Sequence, residues 1–219
     1  MQWSWHPVQL SVTVAFIATV ISFLFAILAA SIMTNEKVKG KALIETFFFL
    51  PLVLPPTVIG FILIIIFGSN SMVGRWIENI TGSSILFTVP AAIIAASVVA
   101  FPLMYQSIKT GFQSVDPNII NAAKVDGATN WELLFLVTIP LSKKALMTGI
   151  ILGFTRAFGE FGATLMFAGN IPGKTQTIPT AIYMAIESGN TTIAWYYVFI
   201  SISFSFILLF LINRQKRKA

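Results

Sequence analysis

Between His6 and Glu36 the chain carries no charged side chain, and that stretch limits what a sequence of 219 residues can fold into. A helix needs about 20 apolar residues to cross a hydrocarbon layer about 30 Å thick. This stretch is longer than that, and four more apolar stretches follow it. The expected spans are about Val8–Met33, Phe47–Phe67, Phe87–Ile108, Ala145–Phe167 and Trp195–Ile212. None has the short alternating pattern of an outer-membrane barrel strand. In lipid, a span of this length must satisfy its own backbone groups, which a helix does. An all-α integral membrane protein of about five helices is therefore expected. Composition agrees: 56% of residues are hydrophobic and 10% charged, whereas soluble domains carry roughly 25% charged residues.

A net charge of +6 would suit a nucleic-acid binder, but the placement of the charges points to topology instead. Lys37, Lys39 and Lys41 follow the first span. Lys109, Lys124, Lys143 and Lys144 follow the third, and Arg214, Lys216, Arg217 and Lys218 follow the fifth. All of these fall on one side. Arg75 and Lys174 fall on the other, and Arg156 lies inside the fourth span. Basic residues stay in the cytoplasm, so the N-terminus is expected outside and the C-terminus inside. Trp3, Trp5, Trp195, Tyr196 and Tyr197 fall at expected outer boundaries, where amphipathic rings settle. One membrane domain over residues 8–212 is expected, with a basic cytoplasmic tail at 213–219. The first seven residues contain no Lys or Arg, so the first apolar stretch reads as a retained span rather than a cleavable signal. With no cysteine and one histidine, His6, the chain lacks the means for thiol chemistry or a Cys/His metal site. No catalytic cluster is expected, and no cofactor held by this chain.

The longest cytoplasmic connection, Lys109–Lys144, is too polar to cross and too patterned to be a slack linker. Asp116-Pro117 is a helix start, with the acid as cap and proline in the first turn. Gly127 can end that short helix. Thr129-Asn-Trp-Glu132 is a capping box that opens a second helix, Trp131–Thr138, expected to stop at Ile139-Pro140. Two short helices around a glycine bend would present a compact knob to the cytosol.

Asn121-Ala122-Ala123, three residues, Gly127, nine residues, then Val137-Thr-Ile139-Pro140 resembles the EAA loop of ABC importer permeases. Both spacings match that loop. Asn121 stands where the family has Glu, Val137 where it has Ile, and Ile139 where it has Leu. The resemblance implies a coupling helix that docks on a separate ATPase subunit through Asn121, Ala122, Ala123, Asp126, Gly127 and Pro140. Leu50–Gly60, Gly159-Glu-Phe-Gly-Ala-Thr164 and Gly169–Tyr183 are similar to segments of molybdate permeases, and share a shorter signature with sulfate/thiosulfate permeases. The resemblance implies the type I ABC importer permease fold and a homodimer in the bacterial or archaeal cell membrane. It also implies two ATPase subunits that use ATP and Mg, and an extracytoplasmic molybdate-binding protein. Gly169–Ile178, with Asn170, Pro172, Thr175 and Thr177, would receive that binding protein. Sulfate/thiosulfate or tungstate is the alternative cargo, and an ATP-independent channel or carrier the more distant one.

Gly169-Asn-Ile-Pro-Gly173-Lys174-Thr175 is one residue short of a phosphate-binding P-loop and follows no strand. ATP hydrolysis is therefore assigned to the partner. Arg156 falls roughly 17 Å above Ala145 at 1.5 Å per residue, near mid-membrane. Glu160, four residues on, would share its helix face. Such a pair either neutralises itself and fixes packing, or lines a path for a tetrahedral dianion, and the two roles can coexist. Thr164 and the span-two prolines Pro55 and Pro56 complete the candidate path. Gly149-x-x-x-Gly153 reads as a close helix contact.

Overall fold

The computed structural model describes residues 3–34 and 38–217, with side chains described as far as Phe210. Lys37 and the side chains of the basic tail at 213–219 lie outside the described residues. Every element among the described residues is helical. In chain order they are α1 (His6–Thr34), α2 (Lys41–Val53), α3 (Pro56–Phe67), α4 (Met72–Thr81), α5 (Val89–Gln113) and α6 (Pro117–Val125). They continue as α7 (Asn130–Leu141), α8 (Lys143–Phe158), α9 (Gly162–Ala168), α10 (Ile178–Glu187) and α11 (Thr191–Arg217).

Among the described residues, three helices are long and apolar enough to cross a membrane unbroken: α1, α5 and Thr191–Phe210 of α11. The other two expected spans are broken. The stretch read as Phe47–Phe67 is α2 and α3, bent by 114°. The cause is local. Leu54, before a proline, takes an extended ψ of 145°. Pro55 and Pro56 have no N–H with which to continue the ladder, so α3 restarts with proline in its first turn. The stretch read as Ala145–Phe167 is α8 followed by α9, interrupted at residues 159–161. Among the described residues, counting each of two bent helix pairs, α2 with α3 and α7 with α8, as one span gives up to five crossings.

α7 also departs from expectation. It runs through Pro140 to Leu141 and contains a wide π-helical turn, Leu133–Thr138. The Thr138 hydroxyl donates to the Leu133 carbonyl, five residues back, at 3.0 Å. The wider turn lets the chain pass a proline that an α-turn would reject. α7 meets α8 at 79°.

The core is built from small residues, as expected where lipid removes the hydrophobic drive between helices and close approach must replace it. Ala15, Ala18, Ala26 and Ala30 of α1 are fully buried, as are Ala91, Ala92, Ala95, Ala96 and Ala100 of α5. The Ser22 hydroxyl of α1 donates to the Ser97 carbonyl of α5 at 2.8 Å. α8 packs against both α5 and α1. A Cβ on Gly149 would lie 3.3 Å from the Ser107 Cβ, and one on Gly153 would lie 2.2 Å from the Met104 methyl. The Gly149/Gly153 pair is thus a packing device. Ser107 donates to the Ala145 carbonyl at 2.8 Å, and Ser142 to the Gly111 carbonyl at 2.9 Å. These bonds tie the start of α8 to α5.

Candidate functional site

Two features stand out, at opposite ends of α8. The first is the knob formed by α6 and the start of α7. The Asp116 carboxylate accepts the Asn118 N–H at 2.8 Å and caps α6. At the other end Gly127, at φ +86°, turns the chain. There the Gly127 N–H donates to the Lys124 carbonyl at 3.1 Å and the Ala128 N–H to the Ala123 carbonyl at 3.0 Å. Thr129 and Glu132 form the expected capping box, with Glu132 accepting the Thr129 N–H at 2.7 Å. Those bonds hold the Glu132 carboxyl below its ordinary value of 4.5.

No residue of α6 is buried. Asn121, Ala122, Asp126, Gly127 and Pro140 are exposed, and Ala123 is half-buried. Val125 is 87% exposed. Trp131 stacks on Phe135 with centroids 5.9 Å apart, and both are exposed. The knob is rigidly capped and leaves Val125, Trp131 and Phe135 uncovered by the rest of the chain. Behind it, Leu134 of α7 joins Met104, Tyr105, Ile108 and Phe112 of α5 and Leu146 of α8 in one buried cluster. Packed side chains thus connect the start of α7 to the spans.

The second feature is the α8–α9 break. Arg156 lies in the last turn of α8, whereas Glu160 lies beyond the helix, so the two do not share a continuous helix face. The chain turns at Gly159 and brings them together regardless. Arg156 Nη1 donates to Glu160 Oε2 at 2.8 Å. The other Glu160 oxygen accepts the Ala163 N–H at the start of α9, also at 2.8 Å. The carboxylate is almost sealed, at 2% side-chain exposure, while Arg156 keeps 27%. Beside the pair is a cavity of about 320 Å³, lined by Pro56, Thr57, Arg156, Glu160, Phe161 and Met166 among others.

The sequence-derived path residues separate here. Arg156, Glu160 and Pro56 line this cavity, and Pro55 sits exposed at the adjacent bend. Thr164 is 1% exposed, turned into the core. Thr57 and Phe161 line the cavity without having been singled out. Their signal was adjacency to a proline pair and to a charged Gly-Glu-Phe-Gly break.

The turn at Gly169–Ile178 is also re-sorted. Ile171, Pro172, Gly173 and Lys174 form its exposed tip, and Asn170 is half-buried behind it. Thr175 and Thr177 are buried and shape the turn. The Thr175 hydroxyl accepts the Ile171 N–H at 3.0 Å, and Thr177 pairs with Thr180 at the start of α10. Ser11 of α1 accepts the Ile178 N–H at 2.7 Å, anchoring the loop to the bundle. Among the described residues no group of acidic or histidine side chains could hold a metal ion.

A bent helical bundle with an uncovered knob on one end and a charged break at the other end of α8 is the architecture of a transport permease. The chain belongs to the binding-protein-dependent transport system inner membrane component family, whose sequence profile matches residues 10–219. It is 54% identical over 210 residues to a Bacillus subtilis (strain 168) protein described as a molybdenum transport system permease, covering 96% of this chain and 92% of that one. It is 38% identical over 184 residues to the molybdenum transport system permease of Escherichia coli (strain K12), covering 84% and 80%. Among solved structures, a bacterial alginate ABC transporter in complex with its alginate-bound periplasmic protein matches with a TM-score of 0.76. That match has 16% identity and covers 97% of this chain and 78% of that one. The fold is that of the type I ABC importer permeases, and the chain is a membrane transport subunit, not an enzyme.

Proposed function

We propose that this chain is the membrane-spanning subunit of an ATP-driven importer that carries molybdate across the cytoplasmic membrane. The observation that carries the reading is the α6–Gly127–α7 knob. It is rigidly capped and uncovered on its outer side, and it joins the spans through Leu134 on its inner side. Such a surface suits a partner whose shape changes on binding ATP. The molybdate assignment is supported by the likeness to molybdenum transport permeases over nearly the whole chain.

In this reading two copies of the chain enclose a path, and two ATPase subunits, which use ATP and Mg, sit beneath the knobs. Asn121, Ala122, Ala123, Asp126, Gly127 and Pro140 form the coupling surface. Arg156, Glu160, Pro55, Pro56 and Thr57 face the path. The exposed tip at Pro172, with Asn170 behind it, meets a substrate-loaded binding protein. The N-terminus is outside and the C-terminus cytoplasmic, supported by the placement of Lys39, Lys41, Lys109, Lys124, Lys143 and Lys144. ATP binding draws the ATPases together, the knobs follow, and the path opens to the binding protein. This is a two-state element biased from a distance.

The test is oxyanion competition on a complex reconstituted with its ATPase and binding protein. Uptake of labelled molybdate should fall with unlabelled molybdate or tungstate and resist equal sulfate. Inhibition by sulfate at the same concentration as molybdate would transfer the assignment to sulfate.

A further inference from the structure

Resting on that reading, we infer that Arg156 and Glu160 form a charge-exchange site, in which the passing tetrahedral oxyanion takes the place of the Glu160 carboxylate on the Arg156 guanidinium. The two partners are held unequally. Glu160 is fixed twice, by Arg156 Nη1 through one oxygen and by the Ala163 N–H through the other, and its side chain is 2% exposed. Arg156 has one ion-pair partner and keeps 27% of its side chain exposed beside the cavity. A guanidinium carries five N–H donors in a planar fork, a shape suited to a tetrahedral oxyanion.

If the pair opens, the carboxylate keeps its bond to the Ala163 N–H while the guanidinium turns to the cavity. Among the residues lining that cavity, Arg156 and Glu160 are the only charged ones. Thr57, at the first turn of α3, adds a hydroxyl donor to the same space.

The arrangement does two jobs. Between transport events the pair is neutral, so no unpaired charge is left in a low-dielectric span. With the dianion bound, Glu160 remains close and repels it, which keeps the stay short. A conduction site must bind well enough to admit an ion and weakly enough to release it. A purely structural ion pair has no such second role, and removing either partner harms it in the same way.

The experiment uses the permease–ATPase complex in nanodiscs without binding protein, titrated with molybdate, together with uptake by proteoliposomes containing the full system. Glu160→Gln keeps an oxygen for the Ala163 N–H but removes the competing charge. It should tighten molybdate binding about tenfold and slow turnover. Arg156→Gln should abolish binding and lower uptake at least about tenfold, and Arg156→Lys, the second cationic variant, should retain binding within about tenfold of wild type. If Glu160→Gln and Arg156→Gln weaken binding alike, or if Arg156→Gln leaves it unchanged, the exchange is overturned while the importer reading stands. Wild-type proteoliposomes that import no tetrahedral oxyanion would overturn the importer reading and this inference with it.

Discussion

Tyr105 on α5 donates its hydroxyl to Glu45 on α2 across 2.9 Å, and Lys109, one turn further along α5, forms an ion pair with the same carboxylate oxygen. This contact matters because α2 has no buried residue of its own. It lies against α5 as an arm, held by this cluster and by Phe48 and Phe49 packing around Phe101 and Tyr105. With α1, α3 and α5 it walls an apolar cavity of about 560 Å³, lined by Phe48 and Phe101 among others.

Replacing Glu45 by Gln leaves Lys109 without its counter-charge. Both side chains keep part of their surface exposed, 17% and 22%, so the loss is smaller than for a fully buried pair, about 1–2 kcal/mol. Thermal unfolding of the purified complex in a Glu45/Lys109 double-mutant cycle measures it. A coupling energy near zero would mean that the aromatic cluster alone holds the arm.

Gly111 is the tightest contact between α5 and α8 that no flexible side chain can relieve. A Cβ there would lie 2.4 Å from the Ala145 Cβ. Gly111→Val should cost about 3 kcal/mol or more and reduce the yield of folded protein. Gly153→Ala should be milder, because the atom it meets, 2.2 Å away, is the movable end of Met104. Comparing the two melting temperatures checks the order.

Gly127 is a different case. Nothing lies within 4 Å of a Cβ built there, but its φ of +86° disfavours side chains. Gly127→Val should strain the bend by about 1–2 kcal/mol, weaken ATPase co-purification and block uptake. Gly127→Asn, a residue that tolerates the left-handed region, should retain most of both. Co-purification and uptake are read together. Equal behaviour of the two variants would show that the bend plays no part in docking.

The Thr129–Glu132 cap should titrate. The Glu132 carboxyl has a lowered folded value, so its contribution is present above the ordinary value of 4.5 and is lost as pH falls through the folded value. Hydrogen exchange of the amides at the start of α7 should rise below about pH 4.5 in wild type and lose that pH step in Glu132→Gln.

Because the chain has no cysteine, single-cysteine variants can be labelled without background. Val125→Cys should react with an impermeant thiol reagent only from the cytoplasmic side. Lys174→Cys should react only from outside. The reverse pattern would invert the topology.

Apolar length and charge placement made α1, α5 and α11 legible from the residues, and Asp116, Gly127, Thr129 and Glu132 announced the knob by their own turn chemistry. Apolar length is counted along the chain and is blind to direction. For that reason Gly159-Glu160 reads as part of a straight span although the helix ends there, and Pro55 and Pro56 signal a bend but not its 114° angle. Burial was equally hidden for Thr175 and Thr177, whose partners are a backbone N–H and another threonine. Glu45 and Lys109, 64 residues apart, had no local signal that would pair them.

The most direct measurement is ATP-dependent uptake of labelled molybdate by proteoliposomes containing this chain, its ATPase and the binding protein, with wild-type and Gly127→Val permeases side by side. Uptake that requires ATP and collapses in Gly127→Val is the expected result. Uptake that proceeds without ATP, or that survives Gly127→Val unchanged, would contradict an importer driven through the α6–α7 knob.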